Sequence, residues 1–212
     1  MLVIIATHPI QYQVPIWKEL AKRLNVEFEV WYLTSHGVEP TYDIQFQKAI
    51  KWDIDLLDGY PYRFSHVHCP NRLTNFWSAK LPKDFKSKLK SKEITHILLL
   101  GWNVIAFIEA IFIAFRYRKK IWLRAESNDL KVNSYVKKQI KNLFLKLFFS
   151  KIEKFLTIGN ANKRLYKNFG ITEEKIYSAP YCVENQRFAF QANKNLNSRK
   201  KFRSFWGIDD AS

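Results

Sequence analysis

A chain of 212 residues with 47% hydrophobic and 16% aromatic side chains can fill a sizeable core, which excludes wholesale disorder. Its two cysteines, Cys69 and Cys182, fit no CxxC or Cys/His spacing, which argues against a disulfide framework or zinc finger and for a reducing compartment. The net charge of +16 is regional: residues 1–60 hold 5 Lys+Arg against 8 Asp+Glu, net −3, and residues 61–212 hold the other 30 against 11, net +19. A field of that kind favours anionic partners, although lysines that merely solvate a surface give the same balance.

In chain order, Leu2–Thr7 is a continuous apolar run suited to a central parallel strand, too short and without the basic flank of a signal peptide. Val14–Leu24 places Ile16, Trp17, Leu20, Ala21 and Leu24 at helical spacing, with Pro15 in the first turn where proline is tolerated. Val26–Ser35 alternates and reads as a second strand. Residues 36–60 read as a long loop with a short helix near Phe46–Ile50, Tyr62–His68 as a weaker strand, and Lys80–Lys92 as a basic helical connector.

The second half alternates more clearly. Thr95–Leu100 is a strand and Val104–Phe115 a largely buried helix; His96, Gly101, Asn103 and Glu109 interrupt this apolar tract too often for a bilayer span. Lys120–Ala125 is a strand, followed by the loop Glu126–Asn133. Val136, Ile140, Leu143, Phe144, Leu147 and Phe148 then mark the expected core face of an amphipathic helix whose other face carries Lys137, Lys138, Lys141 and Lys146. That lysine face could lie on anionic lipid or simply face water. Phe155–Gly159 is a short strand, Ala161–Phe169 a helix closed by Gly170, and Lys175–Ala179 a last strand. Gln191–Lys201 is polar and basic and reads as a linker, and Lys201–Gly207 begins a further helix.

Strands alternating with helices predict an α/β fold, a Rossmann-like open, mainly parallel sheet with helices on both faces, over residues 1–190. Residues 191–212 are expected to be a linker and the start of a second domain.

Ligands of such sheets sit beyond the carboxyl ends of the strands. Those ends here carry His8, Gln11 and Tyr12, then His36, His66 and His68, then Trp102 and Asn103, then Glu126 and Asn128, and finally Asn160 and Tyr181. Planar polar groups beside aromatic rings suit sugar recognition, because hydroxyls need paired donors and acceptors and the C–H face needs an apolar platform. The chain has six glycines and no G-x-G-x-x-G, no G-x-x-x-x-G-K-[ST] and no G-x-S-x-G, which removes the dinucleotide fingerprint, the P-loop and the hydrolase elbow.

Thr7-His8-Pro9-Ile10-Gln11-Tyr12-Gln13-Val14-Pro15 after the opening strand resembles the start of a family-4-type, GT-B-fold glycosyltransferase. Leu99–Asn103, Arg124–Ser127, Phe155–Asn162 and Ala179–Phe188 are similar to that family's later loops and to the hinge that leaves its N-terminal domain. The resemblance covers roughly residues 1–190. It implies the acceptor-binding half of an enzyme that moves a sugar from a nucleotide-sugar donor to a glycan, lipid-linked or small-molecule acceptor, with retention and without metal. The donor would be bound mainly by a C-terminal domain, in cis or in trans, so this chain alone is expected to be inactive. No cofactor, metal or nucleic acid is expected; the setting is cytoplasmic, with an anionic membrane surface as a second candidate partner. A non-catalytic subunit of a split transferase and a basic anion- or membrane-binding module stay open as alternatives.

The candidate catalytic groups are His8, an imidazole able to orient a hydroxyl or steady a phosphate, and Glu126, a carboxylate able to accept hydroxyl hydrogen bonds. Gln11, Tyr12, Trp102, Asn103, Arg124, Asn128 and Asn160 are the candidate substrate-binding residues. Each has a plainer reading: a His-Pro turn for His8, a salt bridge with Arg124 for Glu126, core packing for Trp102 and Tyr12. Asp53 and Asp55 read as structural or acceptor-loop residues, and His66 and His68 lack a third metal ligand.

Overall fold

The computed structural model describes residues 1–23, 25–43, 47–50, 52–65, 73–127 and 135–208, with side chains left undescribed at 41–43, 50, 135–141 and 197. The chain forms two compact units, Met1–Tyr181 and Cys182–Ser212.

The first unit is an open α/β layer structure. Its strands are β1 (Leu2–Ala6), β2 (Phe28–Tyr32), β5 (Tyr62–Phe64), β6 (His96–Leu99), β7 (Lys120–Arg124), β8 (Lys154–Thr157) and β9 (Ile176–Ser178), with a separate hairpin of β3 (Thr41–Asp43) and β4 (Lys48–Ile50). They run in the order β5-β2-β1-β6-β7-β8-β9, every pairing in the sheet parallel. From β1 the chain steps outward through β2 to β5, then returns to β6 and steps the other way. The order therefore reverses between the neighbours β1 and β6, and a crevice opens there at the carboxyl ends of the strands.

Period-two alternation sends each strand's residues to two cores. Val3 and Ile5 of β1 with Trp31 of β2 face one cluster, completed by α2 (Lys83–Lys88), α3 (Ile105–Arg116), α4 (Tyr135–Phe149) and α5 (Asn160–Asn168). Ile4 and Ala6 with Val30 and Tyr32 face the other, where α1 (Val14–Ala21) contributes Val14 and Trp17 beside Leu56 and Tyr60. Both faces of the central strands are dry, which is why those strands read as unbroken apolar runs.

Several ends are set by single residues. Pro82 occupies the N-cap position of α2 and so shortens the expected connector, while the basic Lys86–Lys88 end of that helix lies at the favourable pole of its dipole. Gly170 takes φ +80° after α5, and Ile171 N–H returns to the Tyr166 carbonyl, closing the helix as a Schellman turn.

Three expectations need correction. Residues 48–50 are a strand of the β3–β4 hairpin, not a helix: Thr41–Asp43 pairs antiparallel with Lys48–Ile50, and Gln47 holds φ +49°, a conformation that ends a helix but suits a turn. The polar stretch 191–201, read as a linker without secondary structure of its own, is helical: α6 (Asn185–Asn195) and α7 (Arg199–Phe205) with a 3-10 turn between them account for it. Lys, Arg, Gln and Ala favour helix as readily as they favour solvent.

The third correction concerns α4. Its buried face is Leu145, Phe148 and Phe149, joined by Ile152, whereas Leu143, Phe144 and Leu147 are exposed. Of the expected core stripe only Phe148 is buried, and Val136 and Ile140 lie outside the described side chains. The helix carries apolar residues on two faces, and periodicity picked the wrong one. On α3, too, Phe112 and Phe115 are exposed.

Candidate functional site

A cleft of about 560 Å³ occupies the switch point. The end of β1 supplies Thr7 and His8, the loop into α1 supplies Ile10, Tyr12 and Gln13, and the end of β6 supplies Gly101, Trp102 and Asn103. Glu126 and Ser127 follow β7, and Trp52 closes the rim from the segment after the hairpin. Gly101 sits at φ +138°, outside what other residues adopt readily, and a Cβ there would come within 3.3 Å of Asn103 Oδ1 and 3.6 Å of the Phe107 ring. The turn that presents Trp102 and Asn103 therefore requires glycine.

One wall is a relay of rings and charges. Arg124, buried at the end of β7, donates through Nε to the Ala179 carbonyl at 3.0 Å and through Nη2 to the Pro180 carbonyl at 3.2 Å. Its guanidinium lies 4.9 Å from the centre of the Tyr181 ring, and Tyr181 meets Tyr12 edge-on at 4.3 Å. Tyr12 Oη donates to Glu126 Oε1 at 3.3 Å. Burial raises the Tyr12 phenol, and the neighbouring Glu126 carboxylate raises it further. Tyr181 is raised by the same two causes in the same order. Both phenols thus stay protonated at neutral pH and serve as donors.

His8 stands on the other side. Its Nδ1 is 3.0 Å from the Thr7 hydroxyl, and its ring meets His36 edge-on at 5.3 Å. Burial, then the His36 charge, lower it from 6.5 to about 4, against a smaller opposing pull from Glu126. At neutral pH the imidazole is uncharged, so it offers a hydrogen bond and not a cation. Among the described residues, the starts of α1 and α3 offer no anion site either. Gln13 and Val14 N–H groups both donate to the Ile10 carbonyl, Pro15 has none, and Ile16 N–H donates to Gln13. At α3, Ile105 and Ala106 N–H groups are taken by the Phe76 and Ala79 carbonyls. The first turn of a helix attracts phosphate through free amides, and these are used.

The structure brings together His8, Tyr12, Trp102, Asn103 and Glu126, with Arg124 behind the wall that Tyr12 and Tyr181 form. Gln11 and Asn160 do not line the cleft; Asn160 is an exposed first residue of α5. Asn128, His66 and His68 lie outside the described residues. A role for Asn162 was missed: its Nδ2 donates to the Ser127 carbonyl at 2.7 Å and its Oδ1 accepts the Ile158 N–H, so it fixes the loop after Glu126 from inside α5. Trp52 was missed as well, because a long loop gives no periodicity from which to place it. A second depression, about 780 Å³, shares Trp52 with the cleft and is lined by Val38, Asp53, Ile54 and Asp55. Asp55 Oδ1 accepts from the Leu57 and Asp58 N–H groups, which gives it a structural part there. Among the described residues, no group of three His, Cys, Asp or Glu could hold a metal ion.

No family model and no curated protein matches this chain. The chemistry of the cleft therefore rests on its own residues. It presents carboxylate, amide, imidazole and phenol groups beside two indoles, with its nearest cation committed to backbone carbonyls.

Proposed function

We propose that the unit 1–181 is the acceptor-binding half of a glycosyltransferase, taking a neutral, hydroxyl-rich acceptor in the switch-point cleft. The observation that carries this reading is the pairing of Glu126 with a protonated Tyr12 in a cleft that also holds Trp52 and Trp102. A carboxylate steadied by a donor is a strong acceptor for sugar hydroxyls, and an indole gives their C–H face an apolar platform. Asn103 adds a group that can both donate and accept.

The donor nucleotide would be bound elsewhere, on a second domain in cis or in trans, since the starts of α1 and α3 have used their amides. Sugar transfer would then depend on holding the acceptor hydroxyl in line and on electrostatic support at the cleft. His8, held neutral and far below neutral pH, would orient that hydroxyl better than it would take its proton, because a general base works best near the operating pH. The resemblance of residues 7–15 and 179–188 to GT-B enzymes supports the same reading.

Ligand-observed NMR and calorimetry with neutral mono- and oligosaccharides test it. Glu126→Ala is expected to weaken the best saccharide by about 30-fold, since losing a charge-assisted hydrogen bond costs roughly 2 kcal/mol. Unchanged affinity would remove Glu126 from the site. Trp52→Ala is expected to cost oligosaccharides roughly 5-fold, about 1 kcal/mol of ring stacking, and monosaccharides less, because Trp52 stands between two cavities. Equal losses for short and long ligands would contradict that placement.

A further inference from the structure

We infer that the outer face of α3 and α4 is a docking surface for an anionic phospholipid bilayer. The face is the one the helical pattern assigned to the core. Phe112 is 72% exposed, Phe115 60%, Leu143 64%, Phe144 44% and Leu147 63%. They form one strip. Phe112 and Phe115 are a helical turn apart on α3; Lys151 Nζ lies 4.3 Å from the centre of the Phe115 ring; and Leu143, Leu147 and Lys151 follow at i, i+4 and i+8. Scattered exposed apolar residues are ordinary, but five large ones in a contiguous strip mark an interaction surface.

Charge chooses the occupant. Lys151 lies over the Phe115 ring, Lys146 is exposed between Leu143 and Leu147 in the sequence of α4, and Arg116 and Arg118 follow Phe115 at the end of α3. The acid in α3 is Glu109, and its carboxylate is already paired with Lys86 Nζ at 2.7 Å. Apolar side chains that can enter the acyl boundary, ringed by cations that reach phosphate headgroups, are the requirements for binding in the interfacial plane. The surface does so without spanning: among the described residues no helix is long and apolar enough to cross a membrane.

The strip is also separate from the cleft. α3 leaves the cleft loop at Ile105 and ends at Arg116, just before the start of β7, and Leu147 and Lys151 likewise precede the start of β8. The exposed aromatics therefore lie toward the amino edge of the sheet, while the cleft lies at its carboxyl edge. A bilayer on this face leaves the cleft in water, so the contact holds the protein at the surface without drawing its ligand from the lipid. This inference does not depend on what the cleft binds.

Co-sedimentation of the whole chain with vesicles tests it. Vesicles of phosphatidylcholine with phosphatidylglycerol are expected to bind the protein at least about 10-fold better than phosphatidylcholine alone, with the preference falling as salt rises. Leu143→Glu with Leu147→Glu is expected to abolish binding, and Lys146→Glu with Lys151→Glu to abolish the anionic preference, both with unchanged circular dichroism because these side chains are exposed. No binding, equal binding to both vesicles, or variants that bind like the wild type would overturn the inference. So would a concentration-dependent dimer that the Leu143→Glu, Leu147→Glu pair dissociates, since a second copy would then cover the face.

Discussion

Replacing Arg124 with methionine is expected to destabilise the first unit by about 3 kcal/mol, the largest single-residue effect outside the apolar core. The side chain is buried and donates to the Ala179 and Pro180 carbonyls, so methionine leaves both acceptors unpaired at the exit of β9. It also removes the cation from the Tyr181 face. For a chain of this size the loss corresponds to a fall in Tm of roughly 6–12 °C. Arg124→Lys keeps the charge but not the planar fork that reaches two carbonyls at once, and should lose about half as much. Urea unfolding of the three proteins checks this. A loss below about 1 kcal/mol for methionine would show that the relay from Arg124 through Tyr181 to Tyr12 does not hold the cleft wall. Tyr12 and Glu126 would then need another source of order.

Acidification is expected to cost the folded protein up to about 3 kcal/mol through His8. Its folded pKa is depressed to about 4, below the ordinary 6.5, so the unfolded chain binds the proton more readily. The stabilising contribution is whole above about pH 6.5 and declines as pH falls toward 4. Burial is the leading cause and the His36 charge adds to it, whereas Glu126 pulls the other way. His8→Gln removes the titration. Its stability should fall less steeply than the wild type between pH 6.5 and 4, and the difference between the two curves reports His8 alone. Parallel curves would mean that the imidazole is as readily protonated folded as unfolded. The uncharged reading of the cleft would then fail, and phosphate binding there would become plausible.

How much of this was legible beforehand depended on the physics of each segment. β1, β6 and β7 are buried on both faces, and nothing but a central parallel strand explains runs such as Leu2–Ala6 and His96–Leu99 at that length. Because those strands fix the switch point, His8, Trp102, Asn103 and Glu126 were placed by their position at strand ends and do meet in one cleft. Arg124 was expected to touch a ligand or pair with Glu126; the structure also has its guanidinium reach the carbonyls of Ala179 and Pro180, across more than fifty residues of sequence. Contacts of that range leave no local trace. Asn160 was placed by the same strand-end rule and is exposed without lining the cleft, while Asn162, two residues further into the helix, fixes the loop after Glu126.

The α4 helix shows the opposite limit. A hydrophobic stripe identifies the core face only when a helix has one such stripe, and Tyr135–Phe149 has two. Which of them turns inward is decided by the aromatic cluster that Phe149 makes with Phe155, Tyr166 and Phe169, all from later in the chain. The stripe left outside is what makes the bilayer inference possible. Likewise Trp52 belongs to the cleft only because the strand β2 and the turn at Gly37 bring its indole there, 3.3 Å from where a Gly37 Cβ would stand.

The central claim is that neutral sugars bind at the switch-point cleft. The most direct test uses the seven tryptophans as reporters, with indole N–H signals assigned by substitution and followed while a neutral oligosaccharide is titrated in. Among the described residues, Trp52 and Trp102 line the cleft, whereas Trp77 is exposed and does not line it. The signals of Trp52 and Trp102 are predicted to move together and saturably, and that of Trp77 to stay in place. Movement of Trp77 alone, or a cleft that responds to inorganic phosphate and to no neutral saccharide, would contradict it.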